Sequence, residues 1–307
     1  MNIGFIGVGS MGRAIIPRLI GAGHRVSAWN RSPQALANLE GVIALDEPMA
    51  AFKQTVVISM LADDRAAQQV LLSSDALAAA AEGCIHIVMS TLSPELIEQL
   101  RERHEHAGIA LVAAPVFGVP AVAAKGEMNI LAAGPAAAIE KIQPLFDVLG
   151  KKTWRLGERP VQACIAKIAG NLMITQAIES LGEGSRLAEA YGLSAADFIE
   201  IVTQTLFACP SYQRYGHSIA NGIHEPGFKL SLGLKDVDLA LDAAGDKGLE
   251  LPAARVVYAG MAKAVAQGLG ERDWSVFASP GKSTATPKLS AQPWRAATLI
   301  TSCRGHF

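Results

Sequence analysis

The chain has 307 residues, of which half are apolar and 18% are charged, and its formal net charge is −1. A length of this order predicts two domains, because single hydrophobic cores stop growing at roughly 250–300 residues. The near-neutral charge, without a basic block, is not that of a nucleic-acid-binding protein. The four cysteines, Cys84, Cys164, Cys209 and Cys303, are far apart in sequence and form no zinc motif. We therefore expect reduced thiols and no metal site.

The apolar run at residues 3–8 is short, broken by glycine and without a basic leader, so we expect no signal peptide. We find no stretch close to the roughly 20 uninterrupted apolar residues that a membrane helix requires. These features predict a soluble, cytoplasmic protein without membrane partners.

Apolar runs alternate with helical patterns along the first half of the chain, which predicts βαβ units and a mostly parallel sheet covered by helices on both faces. The predicted strands are residues 2–8, 25–30, 55–61, 85–90, 110–116 and 129–133. Two helix starts are predicted between them, at Ser32-Pro33 and Ser93-Pro94, because each pair has a capping side chain followed by proline.

The pattern changes near residue 158. Residues 160–191 contain no interior proline and no convincing strand, which predicts one long helix ended by Gly192. Further helices are predicted at 195–207, 234–247 and 253–267. The fold class is therefore α/β: a doubly wound Rossmann-type domain at 1–158, joined by the long helix to an all-helical domain at 159–279. The remaining 280–307 is rich in Pro, Ser and Thr and predicts a loose tail.

A glycine-rich turn follows the first predicted strand and opens a helix: Gly7-Val8-Gly9-Ser10-Met11-Gly12. In this context Gly7 permits the tight turn, Gly9 admits a pyrophosphate and Gly12 allows close helix–strand packing. We therefore predict a dinucleotide site that includes Ser10 and Met11. The alternative is a structural turn without a ligand.

The end of the second strand indicates which dinucleotide binds. An NAD site usually has Asp or Glu there, whereas this chain has Asn30-Arg31-Ser32. A guanidinium at Arg31 can pair with a 2′-phosphate, and Asn30 and Ser32 can add hydrogen bonds. We expect NADP(H), although Arg31 as a solvated loop residue and Ser32 as a helix cap remain open.

Lys167 and Asn171 are four residues apart on the long helix and share one face. A lysine among apolar neighbours can become a proton donor with a lowered pKa, and an asparagine amide can position a substrate oxygen. By spacing alone, a surface lysine with a solvated head is the stronger interpretation.

The order of several motifs resembles the β-hydroxyacid dehydrogenases, which include 3-hydroxyisobutyrate dehydrogenase and glyoxylate/succinic semialdehyde reductase, within the 6-phosphogluconate dehydrogenase superfamily. The resemblance runs from Asn2 to about Phe277. Its matching stretches are residues 4–12, Ser90-Thr91, residues 114–116, residues 167–171 and residues 234–236.

The resemblance implies a catalytic role for Lys167 and a substrate-side role for Asn171. It also implies cofactor contacts for Met60, Leu61, Thr91 and Lys235. For Lys235 and its neighbour Asp236, an exposed charge pair remains the alternative.

One stretch departs from the family. Its members usually have a Ser-Gly-Gly loop that holds a substrate carboxylate, where this chain has Phe117-Gly118-Val119. We expect these three residues to contact substrate, with Phe117 equally able to turn inward as packing. The variant loop also resembles that of imine reductases, which generally lack the lysine that Lys167 matches, so carbonyl chemistry is favoured.

These features predict an NADP-dependent enzyme that reduces a small aldehyde acid or related carbonyl to a hydroxyacid. Imine reduction and a non-catalytic NADP-binding protein are the alternatives. An apolar stripe on the long helix, formed by Ile174, Ala177, Ile178 and Leu181, suggests a homodimer or homotetramer, although packing within the chain explains the same stripe.

Overall fold

The computed structural model of the protein describes residues 1–72, 77–78 and 80–279, and the predicted tail at 280–307 lies outside them. The strands in these ranges are β1 (Asn2–Ile6), β2 (Arg25–Trp29), β3 (Val42–Ala44), β4 (Val56–Ser59), β5 (Ile85–Val88), β6 (Ala110–Ala113), β7 (Val116–Phe117), β8 (Met128–Ala132) and β9 (Gly150–Arg155). The α-helices are α1 (Ser10–Gly21), α2 (Asp64–Ala67), α3 (Pro94–His106), α4 (Pro120–Ala123), α5 (Ala136–Leu149), α6 (Pro160–Ala190), α7 (Ala195–Gln204), α8 (Pro210–Asn221), α9 (Leu230–Gly245) and α10 (Pro252–Ala264).

Six strands form one parallel sheet in the order β3-β2-β1-β4-β5-β6, which confirms the predicted Rossmann-type α/β fold. Consecutive residues of β1 point to opposite faces. Phe5 packs in a core with Ile15 of α1 and Phe146 of α5. Ile6 belongs to the core on the α3 side, which continues into the helical domain through Ile178. The strand order reverses between β1 and β4, and this reversal opens a crevice at their carboxyl ends.

The strand predicted at 129–133 is present as β8 but belongs to a separate sheet of three strands, β7-β8-β9. β7 pairs antiparallel with β8, because the four-residue α4 between them is too short for a crossover connection. β9 and the three-residue edge strand β3 were not predicted, because both are largely solvent-facing and lack a buried apolar run.

The long helix α6 confirms the prediction at 160–191, and Gly192 follows it with a positive φ of 85°. α7 stops at Gln204 rather than residue 207, α9 begins at Leu230 rather than residue 234, and α8 was missed. α8 escaped prediction because polar residues interrupt its apolar pattern. The Ser32-Pro33 start yields only a 3-10 turn (Pro33–Leu36), and the Ser32 side chain caps nothing. By contrast, Ser93 accepts a hydrogen bond from the Leu96 amide at 3.1 Å, as predicted.

By length and composition α6 could cross a membrane. It lies instead at the centre of the helical domain, against α7, α8, α9 and α10, and it buries Lys167 and Asn171. The predicted interface stripe is also internal, because Ala177, Ile178 and Leu181 are buried within the chain. Packing within the chain therefore explains that stripe, and the argument from it for a subunit interface is wrong. The proposed domain boundary near 158 falls between β9 and α6.

Candidate active site

The glycine turn between β1 and α1 has the geometry of an anion cradle. Gly7 has a φ of 97°, and a Cβ there would clash with the carbonyl of Met60. A Cβ on Gly12 would clash with the carbonyl of Gly7, so the helix can approach the turn only with glycine. A Cβ on Gly9 would meet nothing within 4 Å, which leaves open space in front of the first amides of α1. These features fit a dinucleotide pyrophosphate at the N-terminus of a 12-residue helix.

At the end of β2, Asn30 orders this turn. Its Oδ1 accepts a hydrogen bond from the Val8 amide at 2.8 Å, and its Nδ2 donates to the Ser32 carbonyl at 3.0 Å. Arg31 and Ser32 are exposed, and within the described residues the Arg31 guanidinium forms no hydrogen bond or ion pair. The free cation at this position is therefore Arg31, while contact between Asn30 and a cofactor stays a prediction.

A cavity of about 340 Å³, here called the cofactor cavity, opens beside the turn at the carboxyl ends of β1, β4 and β5. Most of the predicted cofactor residues line it: Gly9, Ser10, Met11, Gly12, Met60, Leu61, Thr91 and Lys235. The loop after β4 is tied to the loop after β5, because the Leu61 amide donates to Ser90 Oγ at 2.7 Å. Gly7 and residues 30–32 do not line this cavity.

A second cavity of about 210 Å³, the substrate cavity, adjoins the first. Gly118, Val119, Lys167 and Phe228 line both cavities. The rest of its wall consists largely of residues that the sequence did not mark as site residues: Val122, Ile174, Pro210, Ser211, Arg214 and Trp274. A group bound where the two cavities meet therefore lies beside Lys167.

Lys167 is only 9% exposed, so the interpretation as a surface lysine is wrong. Its Nζ donates to Asn171 Oδ1 at 3.0 Å and lies 4.6 Å from the centre of the Phe117 ring. Burial lowers the pKa of this ammonium to about 8, against an upward pull from the Asp236 carboxylate. Lys235 adds a smaller lowering of the same pKa. A lysine with this pKa exchanges protons readily near neutral pH.

Asp236 continues the network. The Asn171 amide Nδ2 donates to Asp236 Oδ2 at 2.5 Å, and Lys235 Nζ lies 2.8 Å from Asp236 Oδ1. Lys235 also donates to the Thr91 carbonyl at 2.8 Å, which connects α9 to the loop after β5. Asp236 is 1% exposed, so the interpretation of residues 235–236 as an exposed charge pair is wrong.

The network has a fixed polarity. An ammonium can only donate, so the Asn171 oxygen must face Lys167 and its NH₂ must face Asp236. Asn171 is thus held in one orientation by a cation on one side and an anion on the other.

The Phe117 ring packs against Gly170 of α6, where a Cβ would clash with it. Phe117 also lines the substrate cavity. The two interpretations of this residue, packing and cavity wall, therefore hold together. Gly170 admits an aromatic ring from the same chain.

A loop between α8 and α9 closes the junction with Phe228. Asp273 Oδ2 accepts hydrogen bonds from the amides of Gly227 and Phe228, both at 3.1 Å. Asp273 Oδ1 accepts from Ser275, whose hydroxyl lies 2.8 Å from His224 Nδ1. Asp273 therefore fixes the backbone that carries Phe228.

Family models match nearly the whole described chain. Residues 2–165 match the NAD binding domain of 6-phosphogluconate dehydrogenase, and residues 162–280 match the NAD-binding domain of NADP-dependent 3-hydroxyisobutyrate dehydrogenase. The chain is 40% identical over 282 residues to the uncharacterized oxidoreductase YfjR of Bacillus subtilis, covering 90% of this chain and 98% of that protein. It is 32% identical over 279 residues to glyoxylate/succinic semialdehyde reductase 1 of Arabidopsis thaliana, covering 90% and 96%.

The chain belongs to the β-hydroxyacid dehydrogenase family. It is an NAD(P)-dependent oxidoreductase, as the sequence predicted. Among solved structures it resembles 3-hydroxyisobutyrate dehydrogenase of Mycobacterium tuberculosis with L-serine, with a TM-score of 0.82, 26% identity, and coverage of 90% of this chain and 97% of that chain.

An imine reductase from a Pseudomonas species matches less well, with a TM-score of 0.62, 22% identity, and coverage of 90% and 97%. This likeness concerns the fold alone. The substrate loop that suggested imine reductases is thus set within a β-hydroxyacid dehydrogenase.

The sequence missed several cavity residues of this β-hydroxyacid dehydrogenase because they reach the site only through the tertiary fold. Tyr215 lines the substrate cavity, whereas Tyr212 stacks on Phe207 at 4.8 Å between ring centres. Arg214 lies between them on α8, a helix that was not predicted. Phe228 and Trp274 come from a loop and a 3-10 turn without a local signal.

Other reactive groups lie apart from the cavities. Burial raises the pKa of the Cys84 thiol to about 11 and that of Cys164 to about 12, which keeps both protonated. Within residues 1–72, 77–78 and 80–279, no cluster of His, Cys, Asp and Glu is arranged to hold a metal ion.

Proposed function

We propose that this enzyme reduces the carbonyl of a small aldehyde acid, or a related carbonyl compound, to a hydroxyacid, with NADPH as the reductant and Lys167 as the proton donor. The observation that carries the proposal is the position of Lys167. It is buried, lies at the junction of the two cavities and has a pKa lowered to about 8.

The reduced nicotinamide, when bound, supplies a hydride. Lys167 then has the task of giving a proton to the oxygen that develops negative charge. Asn171 holds the ammonium through its Oδ1 and is itself fixed by Asp236. Phe117 and Val119 give the substrate cavity apolar surface, beside which the ammonium interacts more strongly with the developing oxyanion than it would in water.

NADP(H) as the preferred cofactor is supported by the free guanidinium of Arg31 and by the absence of a carboxylate at residues 29–32. A 2′-phosphate carries negative charge that an acidic residue there would repel and an arginine attracts.

We further propose that the enzyme is cytoplasmic and forms a homodimer or homotetramer. The three described cysteines are free thiols, as is usual in a reducing compartment. Oligomerisation is supported by large apolar side chains exposed along α6, including Met173 and Leu187.

A substrate panel with a Lys167→Ala variant tests the proposed chemistry. The panel contains glyoxylate, succinic semialdehyde and a cyclic imine, each with NADPH and with NADH. We expect the unaltered enzyme to oxidise NADPH with a carbonyl, and kcat for Lys167→Ala to fall by about 100-fold or more because the proton donor is lost. NADPH affinity, measured by calorimetry, should stay within about twofold.

A matched control is Lys263→Ala, which removes a lysine from the helical domain outside both cavities. Unchanged turnover in Lys167→Ala contradicts the assigned role. If the enzyme reduced the cyclic imine and neither carbonyl compound, it would be an imine reductase instead. NADPH binding without oxidation across the panel would favour a non-catalytic protein.

A further inference from the structure

The substrate cavity contains a cation that the proposed proton transfer does not use. Arg214 of α8 lines this cavity but not the cofactor cavity. Its guanidinium forms no hydrogen bond or ion pair within the described residues, and its Cζ lies 5.6 Å from the centre of the Tyr215 ring. Lys167, the other cation of the cavity, is committed to Asn171.

The loop that opens the cavity provides no competing polar side chain. Phe117, Gly118 and Val119 present only aromatic, aliphatic or backbone groups to it. A side-chain partner for a substrate anion in this cavity must therefore come from another element, and Arg214 supplies five N–H donors in a fork that matches a carboxylate.

The surrounding backbone makes room for this fork. The Arg214 guanidinium lies against Gly227, where a Cβ would clash with its Nη2. Gly227 is itself fixed, because its amide donates to Asp273 at 3.1 Å. Arg214 is an exposed residue of α8 whose guanidinium contacts this fixed glycine and lies near the Tyr215 ring.

We propose that Arg214 binds the carboxylate of the substrate and so selects aldehydes that carry an acid at the far end of a short aliphatic chain. The carbonyl lies at Lys167, which lines both cavities. The carboxylate lies at Arg214, which lines the substrate cavity but not the cofactor cavity. Ile174, Tyr215 and Phe228 provide apolar surface in the substrate cavity for the methylene groups between the two ends. This inference rests on the proposed function, whose substrate class it narrows.

Kinetics with a matched pair of aldehydes test the inference. Succinic semialdehyde and butanal have four carbons each, but only the first carries a carboxylate. We expect Arg214→Gln to lower the ratio of kcat/KM for succinic semialdehyde to that for butanal by about tenfold or more, and Arg214→Lys to lower it less. The control Arg255→Gln removes an exposed charge of α10 outside both cavities and should leave the ratio within about twofold.

A binding measurement separates this inference from the proposed reaction. Calorimetry of succinate with the NADPH-loaded enzyme should give a dissociation constant that rises by about tenfold in Arg214→Gln and stays unchanged in Arg255→Gln. If no aldehyde is reduced but succinate binding still depends on Arg214, the proposed function fails and the anion site stands. The inference is overturned if Arg214→Gln and Arg255→Gln bind succinate with equal affinity. It is also overturned if Arg214→Gln loses as much affinity for NADPH as it loses for succinate.

Discussion

The chemistry of Lys167 depends on its burial and on the neighbouring Asp236 and Asn171. Burial lowers the pKa of the ammonium, the Asp236 carboxylate raises it, and Asn171 fixes its position. Because Asp236 acts on Lys167 through Asn171 and through its charge, it is a positioning residue whose removal should change the pH dependence of the reaction.

We expect Asp236→Asn to move the alkaline limb of kcat for carbonyl reduction to lower pH by about one pH unit. The donor must be protonated, so activity falls as pH rises through the lysine pKa of about 8. Loss of the carboxylate removes the attraction that raises this pKa. The measurement is a pH profile of kcat, and the control is Asp238→Asn, which removes an exposed carboxylate from the same helix. A limb that stays in place in Asp236→Asn contradicts this account.

Arg31 gives a second prediction at the scale of a residue. Because its guanidinium is exposed and unpaired within the described residues, its replacement should cost NADPH binding and little stability. We expect Arg31→Ala to weaken NADPH affinity by about tenfold or more while NADH affinity changes by less than about twofold.

Titration calorimetry with both reduced dinucleotides measures these affinities. Arg25→Ala, an exposed arginine at the amino end of the same strand, is the control. An equal loss for NADPH and NADH in Arg31→Ala would exclude a 2′-phosphate contact.

At the scale of elements, α3 is fastened to the sheet by two buried histidines. His104 Nδ1 lies 2.7 Å from the Leu100 carbonyl, which can only accept, so this nitrogen carries the proton. His104 Nε2 then accepts from His86 Nδ1 at 2.7 Å, and His86 Nε2 accepts from the Ser59 hydroxyl at 2.9 Å. With both rings neutral every nitrogen in this chain of bonds has a partner, whereas with both rings protonated two N–H donors would face each other.

This pair predicts a loss of stability in mild acid. Burial lowers the pKa of His104 to about 4 and that of His86 well below its usual value of 6.5. The unfolded chain therefore binds protons that the folded chain refuses below pH 6.5, and stability falls as pH drops from 6.5 towards 4. Each histidine can contribute about 1.4 kcal/mol per pH unit in this range.

Thermal unfolding of His86→Leu/His104→Leu measures the effect. We expect a smaller drop in Tm between pH 7 and pH 5 than in the unaltered protein, together with a lower Tm at pH 7 because the bonds are lost. The exposed His106→Gln on the same helix should keep the unaltered pH dependence. Parallel Tm curves for the double variant and the unaltered protein would refute the mechanism.

At the scale of the whole molecule, the active site lies where the Rossmann-type sheet meets the helical domain. The sheet contributes the glycine turn and the loops after β4 and β5, while the helices contribute Lys167, Asp236 and Arg214. Lys235 connects the two parts through the Thr91 carbonyl. Neither part contains a complete site.

The outer face of α6 gives the prediction for the assembly. Ile165, Met173 and Leu187 fall within an arc of about 80° on the helix, and the last two are 70% and 64% exposed. We expect Met173→Asp/Leu187→Asp to shift a dimer or tetramer towards monomer in light scattering after size exclusion, because two charges would be buried at the contact. Val256→Asp, at an exposed site on α10, is the control. A monomeric unaltered protein, or an intact oligomer in the double variant, contradicts the proposed assembly.

The sequence by itself determined the elements whose signals are local. The three glycines, the buried parallel strands and the long helix each satisfy a rule that depends on neighbouring residues or on period. Lys167 and Asn171 were identified by their spacing together with the family resemblance.

Only the tertiary structure decided what lies around them. Asp236 and Arg214 are separated from Lys167 by 69 and 47 positions respectively in the printed sequence, and their sides of α9 and α8 depend on how those helices pack against α6. The same spacing is equally compatible with a solvated lysine, since burial, and with it the lowered pKa, arises from groups brought together across the fold. The exposed strands β3 and β9 likewise form because a neighbouring strand offers hydrogen bonds. Their own residues have no apolar pattern from which a strand could be predicted.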